Sequence, residues 1–394
     1  MTTPPPLTPP SSPSGASAPP PAGSPAAAGS ATSAEQRYFT CRTCGAQLTY
    51  APGTTVLRCQ ACGAEQDVAE ADRTIVEHSY DAWAQNAPKP VATIGKQVLT
   101  CRGCGASTES DMLAGTCQFC GGVLVAVSNP PGLIAPEAVV PFAVDKRAAN
   151  DEFVKWVRSR WFAPGALKKV GSSEAIAGTY LPHWTYDAHT DTHYDGQRGD
   201  HYYTTETHQV SDGNGGWRTE TRQVQHTRWT RVSGDVARDF DDVLIPASTT
   251  VPADRLAKAG PWQLGDAVGF EPDYLAGYSA VRYDVDPDAG FASARQEMED
   301  VVRGDCRRDI GGDEQQVSRM NVRYAQVMFK LVLLPLWIAS YLSGGKTYTV
   351  MVNANTGEVI GERPYSWLKI AAAVVAALLV IAAIVAVVLV VRHH

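Results

Sequence analysis

At 394 residues, 44% hydrophobic and 19% charged, the chain is long enough for one or two packed domains and is no mini-protein that depends on staples. Its formal charge of -7, from 34 Lys and Arg against 41 Asp and Glu, gives no long-range attraction for a polyanion. Nucleic-acid binding would therefore need a local basic patch, and the sequence shows none.

Residues 1–34 hold 10 of the 26 prolines and no charged residue, a composition that cannot bury a core and predicts a disordered tail. A basic n-region followed by an apolar h-region is missing, so the tail is not read as a signal peptide.

Cysteines come next. Eight of the nine fall into Cys-x-x-Cys pairs, Cys41/Cys44, Cys59/Cys62, Cys101/Cys104 and Cys117/Cys120, each followed by a glycine: Gly45, Gly63, Gly105 and Gly121. Two intervening residues let one tight turn present both sulfurs to a single ion, and the glycine supplies the positive φ that turns the chain away. The spacings C-x2-C-x14-C-x2-C and C-x2-C-x12-C-x2-C predict two zinc ribbons, at 35–67 and 98–127. Rubredoxin-like iron sites, structural disulfides and thioredoxin-type redox pairs are the competing readings. A redox pair, however, belongs beside a βαβ unit and not in four hairpin turns. With four thiolates each, the two zinc ions are expected to be structural, since no position is left open to substrate. Residues 35–125 carry seven Lys or Arg and nine Asp or Glu, which favours protein contact over phosphate binding. Between the ribbons, 68–97 reads as a helical connector with Val68, Ile75, Val76, Tyr80 and Trp83 at loose helical spacing.

Residues 128–366 show an internal echo, with copies at about 138–250 and 275–366. Val140 to Asp145 and Val281 to Asp286 share the pattern V-x-aromatic-x-V-D, a strand whose aspartate can cap a following helix. One helix carries Ala149, Phe153, Trp156, Val157 and Trp161 on a face. The other, opened by Pro287, carries Phe291, Ala294, Met298, Val301 and Val302. Downstream, Leu181-Pro182-His183-Trp184 matches Leu334-Pro335-Leu336-Trp337. The first copy continues into a polar hairpin, His201 to Ser211 and Trp217 to Ser233, around the turn signal Asp212-Gly213-Asn214-Gly215-Gly216. The second ends in a hairpin around Asn353 to Gly357.

Ile370 to Val391 lacks any charge, and 22 helical residues would span ~30 Å. The reading is a transmembrane helix at 367–391, a tail at 392–394, and a C-terminally anchored, single-pass cell-membrane protein with its bulk in the cytoplasm. Arg363 and Lys369 against Arg392 set that orientation. Alanines four apart in this segment, Ala372/Ala376 and Ala382/Ala386, permit a homo-oligomer. The fold class expected is α+β: two zinc ribbons, a duplicated strand-helix-strand domain with a long β-hairpin, and the transmembrane helix.

Three features imitate catalytic chemistry. Asp187, His189, Asp191 and His193 alternate, so a strand would set all four on one face as a metal site or as a solvated surface. Ser343 to Thr347 ends like a phosphate loop but has Ser340 where a glycine is required. Cys306 lies beside Val302 and reads as a small core residue. No G-x-S-x-G or H-E-x-x-H occurs, and no catalytic or cofactor-binding residue is assigned.

The two CxxCG ribbons, YLPHWTYDAHTDTHYDGQRGDHYY at 180–203, FDDVLIPAS at 240–248, RRDIGGD at 307–313 and GERPYS at 361–366 resemble bacterial double zinc-ribbon proteins of the TFIIB type, often labelled primosomal protein N′-like. The helicase label reflects the ribbons alone, because the chain has no complete nucleotide loop and no room for helicase domains. The resemblance implies a C-terminal membrane anchor and association with phage-shock-protein-A-like or SPFH proteins. It thus points to a non-enzymatic adaptor that docks cytoplasmic proteins at the membrane. The alternative is a membrane-tethered nucleic-acid-binding or replication accessory protein.

Overall fold

A computed structural model describes residues 39–69, 74–85, 97–101, 107–110, 112–117, 122–125, 134–159, 176–211, 217–343, 346–361 and 367–393. The tail at 1–34 lies outside them. In chain order the first ribbon is β1 (Leu48–Tyr50), β2 (Val56–Cys59) and β3 (Glu65–Asp67), and the connector is β4 (His78–Ser79) and α1 (Tyr80–Gln85). The second ribbon contributes β5 (Gln97–Thr100), β6 (Ser107–Ser110), β7 (Met112–Thr116) and β8 (Val123–Val125). Then follow β9 (Ala138–Val139), α2 (Lys146–Arg158), β10 (Ile176–Ser211), β11 (Trp217–Pro246) and α3 (Ala253–Leu256). The chain continues through β12 (Val268–Gly269), β13 (Ser279–Val281), α4 (Pro287–Ile310), β14 (Glu314–Ser343), β15 (Lys346–Asn353), β16 (Val359–Gly361) and α5 (Trp367–His393).

Three very long strands dominate, of 36, 30 and 30 residues in β10, β11 and β14. β10 is central. It pairs antiparallel with β11 from His183↔Pro246 to Ser211↔Trp217 and with β14 from Ile176↔Ala339 to Gly199↔Glu314. From the sequence these segments read as short elements, because their alternation is written in Thr, His, Tyr and Gln more than in aliphatics. A ladder on each edge of β10 and a helix across one face keep them continuous.

The α+β expectation is therefore corrected: the described chain is mostly β-sheet. The transmembrane helix is corrected as well. α5 is helical over Trp367–His393. Among the described residues no helix is long and apolar enough to cross a membrane. The single-pass anchor, and the membrane localisation resting on it, are withdrawn.

The two sequence echoes meet in space. Leu181 lies directly opposite Leu334 in the β10–β14 ladder. From that pair outward the registers repeat: β9 runs parallel to β14 with Val139↔Leu333, and β13 runs parallel to β10 with Ala280↔Tyr180. Each first strand thus pairs with the long strand of the other copy. The tryptophans cross in the same way, Trp184 Nε1 donating to Val285 O at 2.9 Å and Trp337 Nε1 to Val144 O at 2.8 Å. Helix starts follow the sequence logic. Asp145 accepts from Ala148 N at 2.7 Å, and Asp286, extended at φ -64, precedes Pro287 in the first turn of α4.

α4 lies across β10, β11 and β14, placing Phe291, Ala294 and Met298 against Tyr186, Ala188 and Phe329, and Val302, Cys306 and Ile310 against Tyr194. α2 packs Ala149, Phe153 and Val157 into a second core shared with Phe142, Tyr180, Tyr278 and Trp337. Gly178 admits this core's rings: a Cβ there would lie 2.5 Å from Tyr278 Cδ1. Gly178→Ala is expected to cost about 1–3 kcal/mol by overpacking, read as a lowered chemical-denaturation midpoint with unchanged slope.

Candidate metal centre

β1 and β2 form a hairpin whose two ends carry matching turns. Gly45 N donates to Cys41 O at 2.9 Å and Gly63 N to Cys59 O at 3.0 Å, with both glycines at φ 74. That left-handed conformation is the reason glycine follows each Cys-x-x-Cys pair. The turns face each other and bring the thiols of Cys41, Cys44, Cys59 and Cys62 within 4.8 Å of one another. This cluster could hold a metal ion. Cys41 Sγ lies 3.7 Å from Cys62 Sγ, and Cys44 Sγ 3.5 Å from Cys59 Sγ.

Electrostatics favour a cation here. The backbone N–H groups of Cys44 and Thr43 hold the Cys41 thiol down to about 6, and that of Cys62, with Ala61, holds Cys59 below its usual range. At Cys44 the Ala46 N–H acts in the same direction, but the sulfurs of Cys62 and Cys59 outweigh it and push the thiol up to about 12. Four thiolates so close cannot all ionise without a positive charge among them.

This ribbon is built into the protein and not appended to it. Phe39, Cys41, Leu48, Tyr50, Leu57 and Cys59 are buried in the core that holds Phe142, Tyr180 and Tyr278. Tyr50 N donates to Ala276 O at 2.9 Å, Gly53 N to Phe142 O at 2.7 Å, and Tyr278 Oη to Tyr50 O at 3.3 Å. The outer turns, with Arg42, Thr43, Gln60 and Ala61, are exposed.

For the second ribbon, Cys101 and Cys117 are buried together with Leu99 and Leu124. Cys104 and Cys120 lie outside the described residues, as do Gly105 and Gly121. One four-cysteine cluster is thus present among the described residues, where two were expected. Cys306 is fully buried on α4, and burial pushes its thiol up. Lys346 and Thr347 open strand β15.

The His/Asp strand does not converge. His189 and His193 lie directly opposite Asp239 and Asp235 in the β10–β11 register, and each imidazole is consumed there, His189 Nδ1 at 2.5 Å from Asp239 Oδ1 and His193 Nδ1 at 2.8 Å from Asp235 Oδ1. Asp191 Oδ1 is 3.6 Å from His189 Nε2. Asp187 lies opposite a β-bulge, where β11 carries an extra residue, and accepts from Asp242 N at 2.7 Å, Asp242 having φ 54.

That bulge assembles a charge cluster that sequence reasoning missed. Glu77, Asp187 and Asp242 converge, and Lys330 Nζ reaches Glu77 Oε1 at 2.7 Å and Asp242 Oδ1 at 2.6 Å. The ammonium supplies the positive charge between two of the three carboxylates. Burial pushes Glu77 up, but the bond from Lys330 outweighs it and leaves that carboxyl below its usual range. Burial, helped by Glu77, pushes Asp187 up to about 6 against the donation from Asp242 N. A carboxyl whose folded value is raised from 3.8 to about 6 adds stability below 3.8 and loses it as pH rises through about 6. Asp187→Asn keeps an acceptor for Asp242 N. The variant is expected to be at least as stable as the wild type at pH 7.5 and to show less of a melting-temperature gain on shifting to pH 5.

Comparison with known proteins gives one relative to report. The chain is 25% identical over 256 residues to the uncharacterized protein YdjG of Bacillus subtilis (strain 168), covering 64% of this chain and 70% of that protein. No family model matches, and no solved structure matches.

Proposed function

We propose that the chain is a non-enzymatic docking scaffold whose metal-filled ribbons present exposed turns to protein partners. The observation that carries this reading is the first cysteine cluster: Cys41 and Cys59 are anchored in a shared core, while Cys44 and Cys62 close the cluster from turns that face solvent. The metal is zinc. Tetrahedral zinc–thiolate bonds of ~2.3 Å set sulfurs ~3.8 Å apart, close to the 3.5 and 3.7 Å spacings here. Such a set leaves no place for substrate. The second ribbon, with Cys101, Cys104, Cys117 and Cys120, would hold a second zinc of the same kind. The sequence resemblance points to phage-shock-protein-A-like or SPFH proteins as partners.

The test is capture of partners by the tagged full-length chain after nuclease treatment, compared with Arg42→Glu/Gln60→Glu, two exposed positions that leave the cysteines in place. Loss of a captured protein at unchanged zinc content is the expected result. Unchanged capture would remove the ribbon turns as the docking surface, and capture that vanishes with nuclease alone would favour the nucleic-acid alternative.

A further inference from the structure

The β10–β11 hairpin outruns the rest of the sheet. β14 accompanies β10 only as far as Gly199↔Glu314, while β10 and β11 continue to Ser211↔Trp217. From 200 to 211 the outer edge of β10 pairs with no strand among the described residues. Two bonds at the start of this stretch fix its orientation: Gly199 O accepts from Asp313 N at 2.9 Å, and His201 N donates to Asp313 Oδ2 at 2.6 Å. Backbone groups alternate sides along a strand, so the N–H and C=O of Tyr203, Thr205, Thr207 and Gln209 point outward, away from β11.

An open edge of this kind is a pairing template unless charge, proline or a bulge blunts it. Residues 200–211 contain no Lys, Arg or Pro, their two acids are already matched on the same strand, Asp200 by Arg198 and Glu206 by His208, and their register with β11 is unbroken. The outer strand of the same hairpin, β11, carries Arg218, Arg222, Arg228 and Arg231. The two edges of one hairpin are thus treated differently, and only the β10 edge is left ready to pair.

We infer that the 203–211 edge of β10 pairs antiparallel with the same edge of a second copy of this chain, making a four-stranded ribbon with the two globular bodies at opposite ends. A twofold register centred on Thr207 sets Thr205 opposite Gln209 and Tyr203 opposite Ser211 of the second copy. It also sets Glu206 opposite His208 twice, and no like charges meet. The overlap stops short of Asp313, which already caps His201, so neither β14 obstructs it. About ten backbone hydrogen bonds would form across the axis, two for each of the five outward-facing pairs. This pairing stands whether or not the ribbon turns dock partners.

The test uses two differently tagged full-length chains expressed together. Thr205→Pro/Thr207→Pro removes two outward N–H groups and spares the ladder to β11. Co-capture of the second tag is expected to fall at least tenfold. A second measurement does not depend on the proline variant folding. Directly opposed residues in a hydrogen-bonded pair lie ~5.5 Å apart at Cα, within disulfide reach. Thr207→Cys should therefore give a covalent dimer under mild oxidant, and Val210→Cys, which faces position 204, should not. Absence of wild-type co-capture would overturn the inference. So would equal cross-linking of the two cysteine variants, or cross-linking of Thr207→Cys only to a different protein.

Discussion

Removing the metal from the first ribbon is expected to unfold more than the ribbon. Structural zinc sites in small ribbons are worth ~10–16 kcal/mol of apparent folding energy, because thiolates this close have no other counter-charge. Here Cys41 and Cys59 are 3% and 2% exposed and share a core with Phe142, Tyr180 and Trp337, so the loss is transmitted to the sheet. Treatment with a strong chelator, or Cys59→Ser, should lower the melting temperature by at least about 10 °C and change the near-ultraviolet signal of the buried tyrosines. Cys306→Ala on α4 is the control. It deletes a buried thiol far from the ribbon and should leave metal content unchanged. A chelated protein melting at the wild-type temperature would show that the sulfurs need no ion.

The second large effect is expected at Lys330. Its side chain is 12% exposed and neutralises Glu77 and Asp242 at once, which is why its ammonium is held above its usual value against the effect of burial. Lys330→Met leaves three carboxylates facing one another. Breaking a buried pair costs about 3–5 kcal/mol, and solvent screening at the partly exposed carboxylates brings the expected loss to about 2–3 kcal/mol. Denaturant titration should show that loss at pH 7.5. Most of it should be recovered in Lys330→Met/Asp242→Asn, since the repulsion and not the missing methylenes is the cause. A double variant no better than the single one would place the cost in packing instead.

These two sites mark the range of what a sequence shows. The cysteine cluster is legible because its determinants are local: two residues between thiols and a glycine at φ 74 after each pair specify the turn before any tertiary contact forms. Its burial is not legible, because Tyr50 meets Ala276 and Tyr278 across more than two hundred residues. The duplicated motifs are visible as strings, V-x-aromatic-x-V-D and L-P-x-W. The strings do not say that Trp184 bonds the second copy's valine and Trp337 the first copy's, an exchange made by strand pairing. Glu77, Asp187, Asp242 and Lys330 come from four separate segments, and a β-bulge on β11, with Asp242 at φ 54, is what sets Asp242 beside Asp187. The alternation Asp187, His189, Asp191, His193 was visible for the converse reason. Its members share a strand, and the structure commits its two histidines to cross-strand pairs in place of a common ligand.

Zinc-edge X-ray absorption on the purified full-length chain tests the closed metal centre most directly. The expected result is a first shell of sulfur alone, four atoms at ~2.3 Å. A shell containing oxygen or nitrogen would open the site to exchange or catalysis and contradict a structural ion. A protein without metal, its cysteines joined as disulfides, would contradict it altogether.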